Sequence, residues 1–161
     1  MRSIVDFIKF IWTLIPAAIV WLFYILPLIL TGSIKYYGKE DTYIWIFEVQ
    51  QKDTWYCRAW KDWGGWSGPC VILFRPGLSK LYVFDQYLDH EADHCLWQTR
   101  LGIFFYPAYF FNSMFIYLFK KDKHAYHDNF FEIKARKSAG QKIDIPRSEW
   151  MHGTNDRIPW F

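Results

Sequence analysis

Charge is what long parts of this chain lack. No Asp, Glu, Lys or Arg occurs over the 25 residues from Phe10 to Ile34, nor over the 19 from Leu101 to Phe119. The formal charge is only +3 across 161 residues and no dense Lys/Arg stripe appears. Nothing therefore marks a nucleic-acid surface, and nucleic acid is not an expected partner. Cysteine is scarce and odd in number: Cys57, Cys70 and Cys95. Cys57 and Cys70 could close a hairpin in an oxidising compartment, leaving Cys95 free; equally, all three could stay reduced. No clear A-x-A cleavage site follows the first apolar run, which argues against a removed signal peptide. Neither Pro nor Gly interrupts the stretch between Asp85 and Arg100, so nothing there breaks a helix.

Aromatic residues, by contrast, are abundant. Phe, Trp and Tyr make up 22% of the chain, an excess typical of proteins at a membrane interface. The first apolar run exceeds the roughly 20 residues that cross a bilayer core. Lys9 and Lys35 flank it, Trp12 and Tyr36 are suited to anchor its ends, and the kinks expected at Pro16 and Pro27 are tolerated in lipid. The expectation is a single-pass anchor over residues 1–36, in a bacterial or host-cell membrane, with lipid as a partner. The positive-inside rule leans slightly towards a cytoplasmic N-terminus.

Residues 35–42 are polar and Gly-containing and read as a linker. Runs rich in aromatic and β-branched residues follow at Tyr43–Val49, Thr54–Trp60, Cys70–Arg75 and Lys80–Phe84, separated by turn signals that include Asp62–Pro69 and Pro76-Gly77. They predict a small antiparallel sheet. Gly64-Gly65 is read as an ordinary turn, with a close approach of backbone to a ligand as the rival reading. Main chain along Cys70–Arg75 is a candidate for pairing with an extended peptide.

The sheet leads into Asp85–Gln98, which contains His90-Glu91-Ala92-Asp93-His94, an H-E-x-x-H. On a helix, residues four apart share a face, so the two imidazoles can converge on one ion. Neutral imidazoles at that spacing suit Zn²⁺. Glu91 lies beside them, where its carboxylate can accept a proton from a metal-bound water. Asp89 and Asp93 could serve as hydrogen-bond acceptors for the ring nitrogens that face away from the metal.

Pro107 and Asn112 interrupt the Leu101–Phe119 run, which predicts a broken helix or hairpin that packs on the domain and dips into one leaflet. Lys120, Lys121 and Lys123 follow it and suit anionic headgroups. A further helix is expected from about Asn129, with Asp128 or Asn129 as its N-cap and Phe131 and Ala135 one turn apart. Glu132 on that helix is a candidate third ligand that leaves a fourth position open; an ion pair with Arg136 is its rival role. His124 and His127 are alternative third ligands, and Tyr109, Tyr126 and His127 are candidate oxyanion donors. The tail from Lys137 to Phe161 is polar and reads as a wrapping segment.

Taken together, D-H-E-A-D-H-C-L-W-Q-x-x-L-G-x-x-F-Y-P-A-Y from Asp89 and N-F-F-E-I-x-A-R from Asn129 resemble a family of small membrane-associated zinc metallopeptidases. These are gluzincin-like proteins of bacteria and their viruses. Trp63-Gly-Gly-Trp-Ser-Gly-Pro69 resembles the family's Gly-rich strand and turn, and the likeness covers about residues 55–140. It implies His90, His94 and Glu132 as zinc ligands and Glu91 as general base, with Gln98, Asn129 and Arg136 matching positions of no assigned role. The resulting expectation is an α+β chain. A transmembrane helix would be followed by a small antiparallel sheet and a zincin-like helical domain over 37–161, acting on a peptide or protein substrate. The alternative is a non-enzymatic membrane or virion component with a vestigial or structural metal site.

Overall fold

The computed structural model describes residues 2–40, 43–60 and 64–146. The chain begins with α1 (Arg2–Val20), passes through a π-helical turn at Trp21–Ile25 and continues as α2 (Leu26–Leu30). The turn sits just before Pro27, whose ring cannot fit the regular ladder and clashes with the carbonyl one turn back. The apolar segment Ile11–Leu30 is long enough to cross a membrane, as is the stretch Phe84–Phe119 taken as a whole. The first of these is two-sided. Thr13, Pro16, Ala17 and Ile25 face inward and are buried, while Ile15, Ile19, Leu22 and Phe23 are exposed.

Four strands form one mixed sheet in the order β1-β2-β4-β3. They are β1 (Ile34–Glu40), β2 (Ile44–Val49), β3 (Gly65–Gly68) and β4 (Val71–Phe74). The expected purely antiparallel sheet is corrected here: β1–β2 and β3–β4 are antiparallel, but β2 and β4 run parallel. The segment between β2 and β3 makes that crossover. It holds α3 (Trp55–Ala59) where a strand was expected, because Thr54 caps it by accepting a hydrogen bond from the Cys57 amide at 3.2 Å. The buried side chains Tyr56, Cys57 and Trp60 recur there with helical spacing.

Four further expectations shift. The linker 35–42 is mostly strand β1, with a register irregularity between Tyr36 and Gly38 that marks a bulge. The turn Asp62–Pro69 contains β3, whereas Lys80–Phe84 is no strand: it joins a 3₁₀ turn at Leu78–Lys80 to the start of the next helix. The run Cys70–Arg75 is not open to a peptide, since β4 lies between β2 and β3 and all four of its side chains are buried. An uninterrupted apolar run is what a strand covered on both faces requires.

One face of the sheet packs Phe47, Val49, Val71 and Leu73 with Ile25 and α3; the other packs Ile46, Ile72 and Phe74 with Leu78 and Cys95. Cys95 belongs to α4 (Phe84–Leu101), so α4 covers the second face. A 3₁₀ turn at Gly102–Phe104 then leads into α5 (Phe105–Phe119). The expected break at Pro107 is absent, because Pro107 occupies the first turn of α5, where no interior hydrogen bond is lost. A loop leads to α6 (Phe130–Ser138). The three cysteines are free thiols. Residues 147–161 of the expected wrapping tail lie outside the described residues.

The joint between α4 and α5 rests on Gly102, at φ +56° and ψ −134°, where a Cβ would stand 2.0 Å from Nε1 of Trp12. Only glycine adopts that backbone readily. Gly77 also has positive φ, at +79°, but open space surrounds it. Gly102→Ala should therefore destabilise the fold by about 1–3 kcal/mol of backbone strain plus the clash, and lower the thermal unfolding midpoint well beyond Gly77→Ala. Equal midpoints for the two variants would show that Trp12 does not lock this joint.

Candidate metal centre

Helix α4 divides its surface between structure and chemistry. Cys95 Sγ reaches the Gly68 carbonyl at 3.4 Å, and Gln98 Nε2 donates to the Ser67 carbonyl at 2.9 Å. These contacts fix the helix on β3, and the neighbouring positions carry His90, Glu91 and His94, all buried. Gln98, matched by the resemblance without a role, thus sets the height of the motif on the sheet.

Helix α6 brings the third residue. Asn129 is fully buried and caps it, accepting from the Phe131 amide at 2.9 Å. The Asn129 amide group also donates to the Tyr109 carbonyl at 3.0 Å and to Ser113 Oγ at 2.7 Å. Asn112 Oδ1 accepts from the Phe130 amide at 2.8 Å. Two asparagines thereby tie the start of α6 to α5, and Glu132, in the first turn, points at the histidine pair.

The three side chains meet closely. His90 Nε2 and His94 Nε2 are 3.2 Å apart. Glu132 Oε1 is 3.2 Å from His94 Nε2, and Oε2 is 3.4 Å from His90 Nε2. A tetrahedral zinc ion with ligands at 2.0–2.1 Å sets those ligands roughly 3.3 Å from one another. All three separations match that edge. Glu132 Oε2 is buried and accepts no hydrogen bond of normal geometry, as expected of an oxygen whose partner is an ion. Among the described residues, His90, His94 and Glu132 are the group of His, Cys, Asp and Glu side chains whose donor atoms converge in this way. The group could hold a metal ion.

The electrostatics agree with a cationic centre. Burial alone would raise the Glu132 carboxyl, but the His90 and His94 imidazoles that face its two oxygens overcome it and hold the group well below its usual range. For His94, burial favours the neutral ring, yet the Glu132 carboxylate outweighs it and the pKa rises. Burial pushes Glu91 up, opposed by His94, His90 and the Ser67 hydroxyl. Gly65 of β3 stands against this carboxylate: a Cβ there would lie 2.8 Å from Glu91 Oε1. The close approach at Gly65 is to a side chain of the site itself.

The supporting residues differ partly from expectation. His90 Nδ1 pairs with Gln141 Oε1 at 3.1 Å, and His94 Nδ1 has no hydrogen-bond partner. Asp89 and Asp93 therefore do not orient the rings; Asp89 is exposed at the helix surface. Gln141 had no signal in the sequence. Gly140, at φ +64°, ends α6, and the Gln141 amide bonds back to the Arg136 carbonyl at 2.8 Å, which turns the glutamine towards α4. Tyr109 donates to Glu132 Oε1 at 2.8 Å, so its hydroxyl serves the carboxylate. Arg136 lies 3.8 Å from Glu132 Oε2 and binds the His127 carbonyl at 2.8 Å. His127 Nδ1 faces Arg136 at 3.0 Å, and His124 Nδ1 accepts from the Tyr126 and His127 amides. Neither histidine joins the cluster as a third ligand.

The site opens through His90 and Glu91 into a cleft of about 630 Å³, whose walls include Gly65, Tyr87, Tyr126 and Arg136. A metal ion needs both imidazoles unprotonated, so affinity should rise with pH. Purified chain should carry about one zinc per molecule, lost on His90→Ala or Glu132→Ala and weakened in mildly acidic buffer. Metal analysis finding no zinc at neutral pH, or zinc unaffected by both variants, would remove the centre.

Comparison with protein-family models, with curated protein sequences and with solved structures finds no match to this chain.

Proposed function

We propose that this chain is a membrane-bound zinc peptidase of zincin type, with His90, His94 and Glu132 as ligands and Glu91 as the general base. The observation that carries this reading is the set of three donor-atom separations of 3.2, 3.2 and 3.4 Å among buried groups. A His₂Glu set is a recurrent zinc arrangement of catalytic sites. The ion, when bound, would polarise a substrate carbonyl and acidify a water. What the chain itself contributes is a base and its surroundings. Glu91 is buried, its basicity is raised by desolvation, and it lines the cleft. That suits a carboxylate that accepts a proton from water and returns it to a leaving amine. The Ser67 hydroxyl and the bare Gly65 backbone hold it in place.

Tyr109 donates to Glu132; Tyr126 also reaches that carboxylate, but it lines the cleft and is the tyrosine placed to donate to a developing oxyanion. It stacks beneath Arg136, whose guanidinium carbon is 5.6 Å from its ring centre. A peptide is favoured as the substrate because β3 is an edge strand whose Gly65 end borders Glu91. Extended chains add to such edges by main-chain hydrogen bonds. Attachment to the membrane would run through the Ile11–Leu30 segment.

Glu91→Gln should keep zinc and lose about 10²–10⁴-fold in peptide hydrolysis. Gly65→Ala should also keep zinc while slowing turnover, because its methyl would displace Glu91 Oε1. Both are read by cleavage of a broad peptide library alongside metal content. A zinc-loaded parent that cleaves nothing in the library would leave a structural metal site, and full activity in Glu91→Gln would remove the base.

A further inference from the structure

We propose that the protein is monotopic: the outer faces of α1–α2 and of α5 lie in the plane of one bilayer leaflet, and the chain does not cross it. The proposal does not depend on the metal reading. By length alone the N-terminal segment could span, but its inner side is occupied. From Thr13 to Leu28 it rests on the folded domain. Thr13 Oγ1 donates to the Thr99 carbonyl at 3.4 Å, Val20 meets the backbone at Gly68, and Ile25 is fully buried in the sheet core. At 1.5 Å per residue, that contact runs for roughly 22 Å, most of the ~30 Å thickness of a hydrocarbon core. A crossing helix would drag the sheet into lipid with it. The sheet is open, with β1 as an edge strand that carries Lys35, Lys39 and Glu40. Open edges and charges of this kind do not occur in hydrocarbon.

The outer sides tell the complementary story. Ile15, Leu22, Phe23 and Leu30 are 59–79% exposed, and Phe111, Phe115, Leu118 and Phe119 are 51–68% exposed. An apolar face of that extent is far from what water tolerates on a soluble domain. The two faces are continuous: Trp12 and Phe104, both exposed, touch with ring centres 5.6 Å apart. Helix α5 has the same two-sided build, burying Phe105 and Ile116 against the domain. Groups suited to headgroup level lie at both ends. Tyr36 and Trp45 are exposed beside Trp21, and Lys120, Lys121 and Lys123 follow α5. Lysines there fit anionic lipid, and the aromatic tips fit the interface.

The test is depth measurement in sealed vesicles of phosphatidylcholine with a minority of phosphatidylglycerol. Nitroxide labels are placed singly at Ile15, Phe23, Leu30, Phe111 and Phe115 of the full chain. Cys57, Cys70 and Cys95 are replaced beforehand, in a background that keeps the parent's circular dichroism spectrum. Relative accessibility to oxygen and to a nickel chelate should put all five labels at one shallow depth. Depths that descend from Ile15 through the bilayer centre and rise again at Leu30 would establish a crossing and overturn the proposal. Labels on either helix that report water or protein contact rather than lipid would overturn it as well, the latter pointing to a second copy. Lys120→Glu and Lys121→Glu should each weaken binding to these anionic vesicles about fivefold while leaving binding to pure phosphatidylcholine unchanged. Equal loss on both vesicle types would deny the headgroup contact.

Discussion

A carboxylate taken out of water beside two imidazoles is the constraint on which the site depends. Glu132 is 2% exposed, and an isolated ionised carboxyl at that depth would cost several kcal/mol. Its charge is offset from three directions: the imidazoles, the Tyr109 hydroxyl and the Arg136 guanidinium. Each of those groups sits on a different element or turn. The arrangement therefore holds only while α4, α5 and α6 keep their mutual positions. Asn129 does much of that work, since one buried side chain caps α6 and grips α5 at two points.

The same division of labour recurs in the helices. Each apolar helix has one side that builds the domain and one that does not. Helix α5 turns Tyr109 towards Glu132 and leaves Phe111 and Phe115 bare. A helix is about 10 Å across, so the His90–His94–Glu132 cluster stands within about that distance of the bare apolar surface. The cleft meets the cluster from another side, past Glu91 and β3. A protein built this way holds the His90–His94–Glu132 cluster close to whatever its apolar surface covers without burying the cleft.

Glycine and the sheet explain why the general-base candidate is reachable. Gly65 of β3 stands against Glu91, and any side chain there would occupy the space the carboxylate uses. The parallel pairing of β2 with β4 brings β3 to the sheet edge over α4. In a simple meander the chain order would have set β3 next to β2, and the glycine pair would have sat elsewhere.

Local periodicity and capping chemistry were enough to read much of this from the chain. His90, Glu91 and His94 share a helix face because four residues make one turn, and Asn129 marks the start of the helix that carries Glu132. The two charge-free runs announced apolar helices for the same kind of reason. What the chain could not disclose depended on contacts far apart in sequence. Strand order follows from which faces bury which side chains, so the parallel β2–β4 pair and the helix at Trp55–Ala59 were invisible to alternation rules. Gln141 reaches His90 only because Gly140 reverses the chain after α6. Hydrophobicity summed along a segment fixes its length; only the packing of Thr13, Ala17 and Ile25 against the domain decides which side of that segment is left exposed.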